Sequence, residues 1–126
     1  MRIYLAGPMR GIPDWNYPAF QQAATVLREL GHTVVSPHEA DEVVGGPEAA
    51  SQDMPATMRR DLDLVLQQEA VVLLAGWSRS HGACLERHAA DVVGIPVFLY
   101  NPHAPGGLVR LASRDWRART GASWIP

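Results

Sequence analysis

A chain of 126 residues, 47% hydrophobic and 19% charged, has the size and make-up of one globular domain and is too short for two independent cores. Its net charge of −2, with no block of basic residues, excludes the electrostatic footprint of a duplex nucleic-acid binder, and no run approaches the roughly 20 apolar residues that cross a bilayer. All eleven cationic side chains are arginine, which excludes lysine Schiff-base chemistry and a P-loop lysine.

Arg2 to Ala6 (RIYLA) is a short β-branched and aromatic run stopped by Gly7-Pro8, and is read as a central first strand. The opening MRIYLAGPMR lacks the apolar length of a signal peptide, and the single Cys84 has no internal partner, so a reducing, cytoplasmic setting is expected. Cys84 itself is read as a small buried packing residue. The loop GPMRGIPDWNYP is long and stiffened by proline, as loops shaped around a ligand are. Ala19 to Leu30 then places Phe20, Ala23, Ala24, Leu27 and Leu30 at helical spacing, with Gly31 as the stop. His32 to Ser36 is read as the second strand.

Pro37 to Met54 has no periodicity and is read as a mobile, lid-like segment. Pro55 suits a first helical turn, and Met58, Leu62, Val65 and Leu66 give the following helix an apolar stripe up to Gln68. Asp61 stands near the edge of that stripe. Asp63, two residues on, faces the other way and is assigned to solvent. AVVLL from Ala70 reads as a buried third strand, and after a loop with Gly76, Ser80 and Gly82 a third helix is expected over Ala83 to Val93. That start places Glu86 in the first turn, beside unpaired N–H groups. Gly94-Ile95-Pro96 turns into a fourth strand, Val97 to Tyr100. In the tail, Leu108 to Arg117 is read as a short helix, with Trp116 and Trp124 packing on the body or on a second subunit.

Strands alternating with helices predict an α/β fold, a flavodoxin/Rossmann-like open parallel sheet with helices on both faces. The expected order is 2-1-3-4. One domain over residues 1–126 is expected, with a core at about 2–100 and a tail at 101–126. In that order the switch point falls between strands one and three, where open sheets of this kind keep their ligands. Tyr4, Asp61 and Glu86 then converge on one cleft. Two carboxyl groups and a phenol suit cleavage of an acetal-like bond, one group attacking the anomeric carbon and another protonating the leaving group. On spacing alone, Glu86 reads equally well as a plain helix N-terminal charge. The five histidines form no ligand pattern, so no metal site is read and no cofactor is expected.

GPMRG after a strand carrying Tyr4, the RDLDLVLQQEAVVLL segment, and Ser80-His81-Gly82-Ala83-Cys84-Leu85-Glu86 together resemble the nucleoside 2-deoxyribosyltransferase-like superfamily. The likeness runs from about residue 2 to 100 and is closest to a small phage and bacterial branch; it extends to the 2′-deoxynucleoside 5′-phosphate N-hydrolases. It implies that Glu86 is the nucleophile at C1′, that Tyr4 orients it, and that Asp61 protonates the departing base. It also implies a substrate-binding role for the GPMRG loop, with Gly7, Arg10 and Gly11, and for Ser80 and Gly82. At Ser80 the transferases resemble one another in carrying aspartate and the hydrolases in carrying serine, so a 5′-phosphate held by Ser80, Arg10 and the Gly82 N–H is implied, with Arg79 adding charge at the rim.

The sequence departs from the hydrolase pattern at Pro8, where a second serine is expected, and at Cys84 and His88, where glycines flank the glutamate. Bulk there is expected to narrow the site or change the substrate. The resemblance favours an N-glycosidase acting on a (deoxy)nucleoside 5′-monophosphate through a covalent glycosyl-Glu intermediate. The alternatives are a nucleoside 2-deoxyribosyltransferase, an inactive nucleotide-binding module, and, by fold analogy alone, an NAD-cleaving enzyme. The expected partners are a small nucleotide or nucleoside and further copies of the chain in a homodimer or higher homo-oligomer. No nucleic-acid polymer and no membrane are expected. Base contacts are expected from Ile12 to Tyr17 and from Pro37 to Met54, with Trp15 packing or stacking on a base.

Overall fold

The structure is a computed structural model and describes residues 1–112. Its sheet has five strands in the order β2-β1-β3-β4-β5. These are β1 (Arg2–Ala6), β2 (Thr33–Val35), β3 (Ala70–Leu73), β4 (Val97–Tyr100) and β5 (Leu108–Arg110). The first four pair in parallel, Tyr4 lying opposite both Val35 and Val71, and β5 joins β4 in antiparallel sense. The expected order therefore stands for four strands, and the fifth is an addition. The tail reading is corrected at its start: Leu108–Arg110 is a strand, because Gly106 and Gly107 turn the chain back along β4 with left-handed φ of 66° and 75°. Trp116 and Trp124 lie outside the described residues.

Among the described residues five α-helices flank the sheet: α1 (Tyr17–Glu29), α2 (Pro37–Val43), α3 (Pro47–Ser51), α4 (Met54–Leu66) and α5 (His81–Val93). The segment from 37 to 54, expected to be irregular, is in fact helical. Each of α2 and α3 has proline in its first turn, and Gly45 and Gly46 separate them, both with φ of 108°. Helices of seven and five residues are too short to display an apolar period, which is why the sequence hid them.

Alternation along β1 divides the core in two. Ile3 and Leu5 pack with Phe20, Ala23, Ala24 and Leu27 of α1, whereas Tyr4 and Ala6 pack with Val65 of α4 and Ala83 and Ala90 of α5. The predicted stripe on α4 is narrower than expected, since Leu66 is half exposed and Val65 alone is fully buried. Both faces of β1 being covered, every side chain from Ile3 to Ala6 is inaccessible.

Candidate active site

The site follows from two helices that place a carboxyl group where the core wants an apolar residue. On α5 the inward positions are Ala83, Glu86, Arg87 and Ala90, so Glu86 sits in the stripe facing the sheet. The flanking alanines let the helix lie close to β1, and Glu86 is 6% exposed. On α4, Asp61 lies one turn before buried Val65 and on the same side. Tyr4 faces both helices from β1, and its hydroxyl donates a short hydrogen bond to Glu86 Oε2. Tyr4, Asp61 and Glu86 thus meet as the sequence predicts.

The expected position of Glu86 within its helix is corrected. The helix begins at His81, capped by Ser80, whose Oγ accepts from the Ala83 N–H at 3.2 Å, and Glu86 therefore falls in the second turn. Its N–H is already used within the helix, and its environment is set by burial rather than by the helix end. Burial pushes Glu86 up to about 8; the Tyr4 hydroxyl and Arg60 oppose the rise and the Asp61 charge adds to it. Burial likewise raises Asp61, against the pull of Arg60. The Tyr4 phenol is raised well above its ordinary value by burial and then by the charges of Glu86 and Asp61, so it acts as a fixed donor.

Arg60, Asp41 and Tyr17 complete the arrangement; the sequence reading singled out none of them, Tyr17 and Asp41 falling only within the two segments expected to touch the base and Arg60 only within the quoted motif. Arg60 donates to Asp61 Oδ1 from both Nε (2.9 Å) and Nη2 (2.8 Å), and Nη2 also donates to Asp41 Oδ1 at 2.6 Å. The Tyr17 hydroxyl donates to Asp41 Oδ2 at 3.0 Å. The adjacent Arg60-Asp61 pair was the available signal, but its third member lies on α2, whose helical character was not legible.

In front of Glu86 and Asp61 opens a cavity of about 450 Å³, within the range of small-molecule sites. It lies at the carboxyl ends of β1 and β3, at the predicted switch point. Part of the lining, Gly7, Arg10, Arg79, Ser80, His81 and Gly82, is cationic and includes the start of a 13-residue helix. The lining also holds the largely apolar set Trp15, Pro37, Pro47, Ala50, Met54 and Met58, with the Asp41 carboxylate beside it. Gly7 lines the cavity where the backbone passes Leu74, whose Cβ would stand 3.0 Å from any added Cβ. Gly11 is exposed and outside the lining, and Tyr4 stands behind Glu86 rather than on the surface.

Trp15 reaches the cavity from a strained turn. Asp14, Trp15 and Asn16 hold left-handed φ values of 55°, 56° and 59° in succession, a conformation costing about 1 kcal/mol or more per non-glycine residue. Asn16 Nδ2 donates to the Pro8 carbonyl at 2.8 Å and secures the turn. Three further expectations are settled by position. Asp63 is exposed and accepts from Gln67, as expected. Cys84 is half-buried rather than buried, its thiol directed at the Trp77 and Ser78 carbonyls. Cys84 and His88 lie two residues either side of Glu86, hence on other faces of α5, and neither lines the cavity or narrows it. Among the described residues no three His, Cys, Asp or Glu side chains are grouped to hold a metal ion, and no helix is long and apolar enough to cross a membrane.

Comparison with known proteins agrees with this fold. A family described as a domain of unknown function, DUF4406, matches residues 1–99. No curated protein matches the sequence. Among solved structures, the fold is similar to a 2-deoxyribosyltransferase from the psychrotolerant bacterium Bacillus psychrosaccharolyticus, with a TM-score of 0.61 and 26% identity over 83% of this chain and 75% of that one. It is similar to a conserved protein of Enterococcus faecalis V583 at a TM-score of 0.62 and 26% identity, over 79% of this chain but only 62% of the other. A 2-deoxyribosyltransferase of Leishmania mexicana shares the fold alone, at a TM-score of 0.58 and 15% identity over 88% and 78% of the two chains. The chain belongs to the DUF4406 family and, by fold and motif together, to the nucleoside 2-deoxyribosyltransferase-like superfamily.

Proposed function

We propose that the protein is an enzyme that cleaves the N-glycosidic bond of a (deoxy)nucleoside 5′-monophosphate. The observation that carries the reading is the Tyr4-Glu86-Asp61 cluster beside a cavity whose lining joins cationic residues at the start of α5 to largely apolar side chains. The likeness to 2-deoxyribosyltransferases supports a nucleoside-processing enzyme.

In the first step a Glu86 carboxylate oxygen bonds to C1′ while the bond from C1′ to the base nitrogen breaks. The electron pair leaves with the base, which takes the proton of Asp61 and departs neutral. Water then attacks C1′, its proton passes to Asp61, and Glu86 is released as carboxylate, giving free base and sugar phosphate. Tyr4 keeps one Glu86 oxygen occupied, so the other is presented to the sugar.

The 5′-phosphate is assigned to the cationic part of the lining. There Ser80 Oγ accepts from the helix and keeps its own O–H to donate, the Gly82 N–H lies in the first turn of α5, and Arg10 and Arg79 supply charge. The base is assigned to the part bearing Trp15, Met54 and Met58. That apolar part also favours a second reading, 2-deoxyribosyl transfer, in which a second base replaces water at the glycosyl intermediate.

The test is incubation with nucleoside 5′-monophosphates, ribo and deoxyribo, with and without a free acceptor base. Base release is expected, and Glu86→Ala should lower it by at least about 1,000-fold in a folded protein. Exchange of bases with no net release would select transfer. No release and no exchange from any nucleotide or nucleoside would overturn the reading.

A further inference from the structure

Arg60 lies outside the cavity lining, behind the wall, yet touches two carboxylates that form it. Its Nε and Nη2 hydrogens both go to Oδ1 of Asp61, and no hydrogen bond among the described residues uses Oδ2. The fork therefore fixes the plane of the carboxyl group and leaves Oδ2 of this cavity-lining residue free of hydrogen bonds. The same Nη2 holds Asp41 of α2, which Tyr17 holds from the other side. Arg60 is mostly buried, with 22% of its side chain exposed, so solvent screens these contacts little.

We propose that Arg60 is a positioning residue of this site: it acts through Asp61, aiming the free oxygen at the leaving group, and locks α2 to α4 so that the base-side wall and the proton donor are set by one side chain. The inference rests on the proposed glycosidic cleavage. A guanidinium is needed because a lysine ammonium is a point charge and does not hold two carboxylates with a fixed fork. The charged and titratable groups that face Asp61 are Tyr4 from β1, Glu86 from α5, Asp41 from α2 and Arg60 from its own helix. Of these only Arg60 holds its proton affinity down.

Leaving-group dependence separates aiming from mere support. With nucleoside 5′-monophosphates, Arg60→Met is expected to lose about 100-fold in kcat with a smaller change in KM, the scale of losing general-acid catalysis. With 4-nitrophenyl 2-deoxyriboside 5-phosphate, whose leaving group departs without a proton, the loss is expected to stay within about three-fold. Arg60→Lys should show the same split at reduced size, and it supplies the test if the methionine variant does not fold. Arg59→Met, at the exposed neighbouring position, should leave both activities unchanged. Equal losses on both substrates would make Arg60 purely structural and overturn the inference. If the unmodified protein cleaves neither substrate, the proposed function fails, and the pairing is then read from the Asp61 carboxyl ¹³C titration. An upward move in Arg60→Lys or Arg60→Met supports the contact, and an unmoved titration overturns it.

Discussion

Glu86 occupies a position that an alanine or leucine would fill more favourably, and its behaviour with pH follows from that. Its proton affinity is raised from the ordinary 4.5 to about 8, so between these values the folded protein binds a proton that the unfolded chain has lost. Stability therefore falls as pH rises through this window. Glu86→Gln, which keeps the acceptor for Tyr4 and cannot ionise, should stabilise the protein at pH 8 by at least about 1 kcal/mol, roughly 4 °C in Tm for a domain of this size, with the gain vanishing below pH 4.5. Thermal melts of both proteins across pH 4 to 9 check it; a gain that is constant with pH would contradict it. In the proposed cleavage the same pair would set the rate profile, because attack needs Glu86 ionised and departure needs Asp61 protonated, one proton on two coupled carboxyl groups. kcat/KM should form a bell with its alkaline limb near 8, where that last proton is lost. The motifs around Tyr4 and Glu86 made these residues legible in the sequence. Arg60 and Asp41 were not, because a side-chain bridge between two helices leaves no period and no motif behind.

At the scale of elements, the start of α5 carries two tasks, since one serine both caps the helix and lines the cavity where the 5′-phosphate is proposed to bind. Ser80→Ala should cost about 1 kcal/mol of stability from the lost cap. It should also raise KM for 5′-monophosphates several-fold while leaving KM for the matching nucleosides nearly unchanged; equal effects on both would remove Ser80 from phosphate binding. Long periodic elements were readable with small errors at their ends: α1 begins at Tyr17 rather than Ala19, and α5 at His81 rather than Ala83. The two-residue shift at α5 moved Glu86 from the first turn to the second and replaced a dipole argument with a burial argument. Short elements were not readable. The three residues of β5 and the two helices before α4 owe their form to neighbours, β4 for the strand and the Thr57 hydroxyl on the Ala50 carbonyl for α3.

Across the whole molecule, the order β2-β1-β3-β4-β5 puts β1 and β3 at the centre with both faces of each covered. Amides of Ile3 to Ala6 and Val71 to Leu73 should therefore exchange with deuterium most slowly, and those of α2 and α3 orders of magnitude faster. Comparable protection of α3 and β1 would refute that ranking. The alternation of strands and helices made this topology legible, and the switch point it implied is where the cavity opens.

Pairing β1 with β3 rather than with its sequence neighbour alone also has a bearing on biosynthesis. Residues Arg2 to Ala6 leave the ribosome before residues 65 to 90, and one side of their backbone and the inner face carrying Tyr4 wait until those have been translated. A nascent chain paused near residue 80 would present that strand and its tyrosine uncovered, to chaperones and to other unfinished copies alike. Glu86 arrives only with α5, so a product cut short before it carries Tyr4 and Asp61 without the carboxyl group that Tyr4 holds.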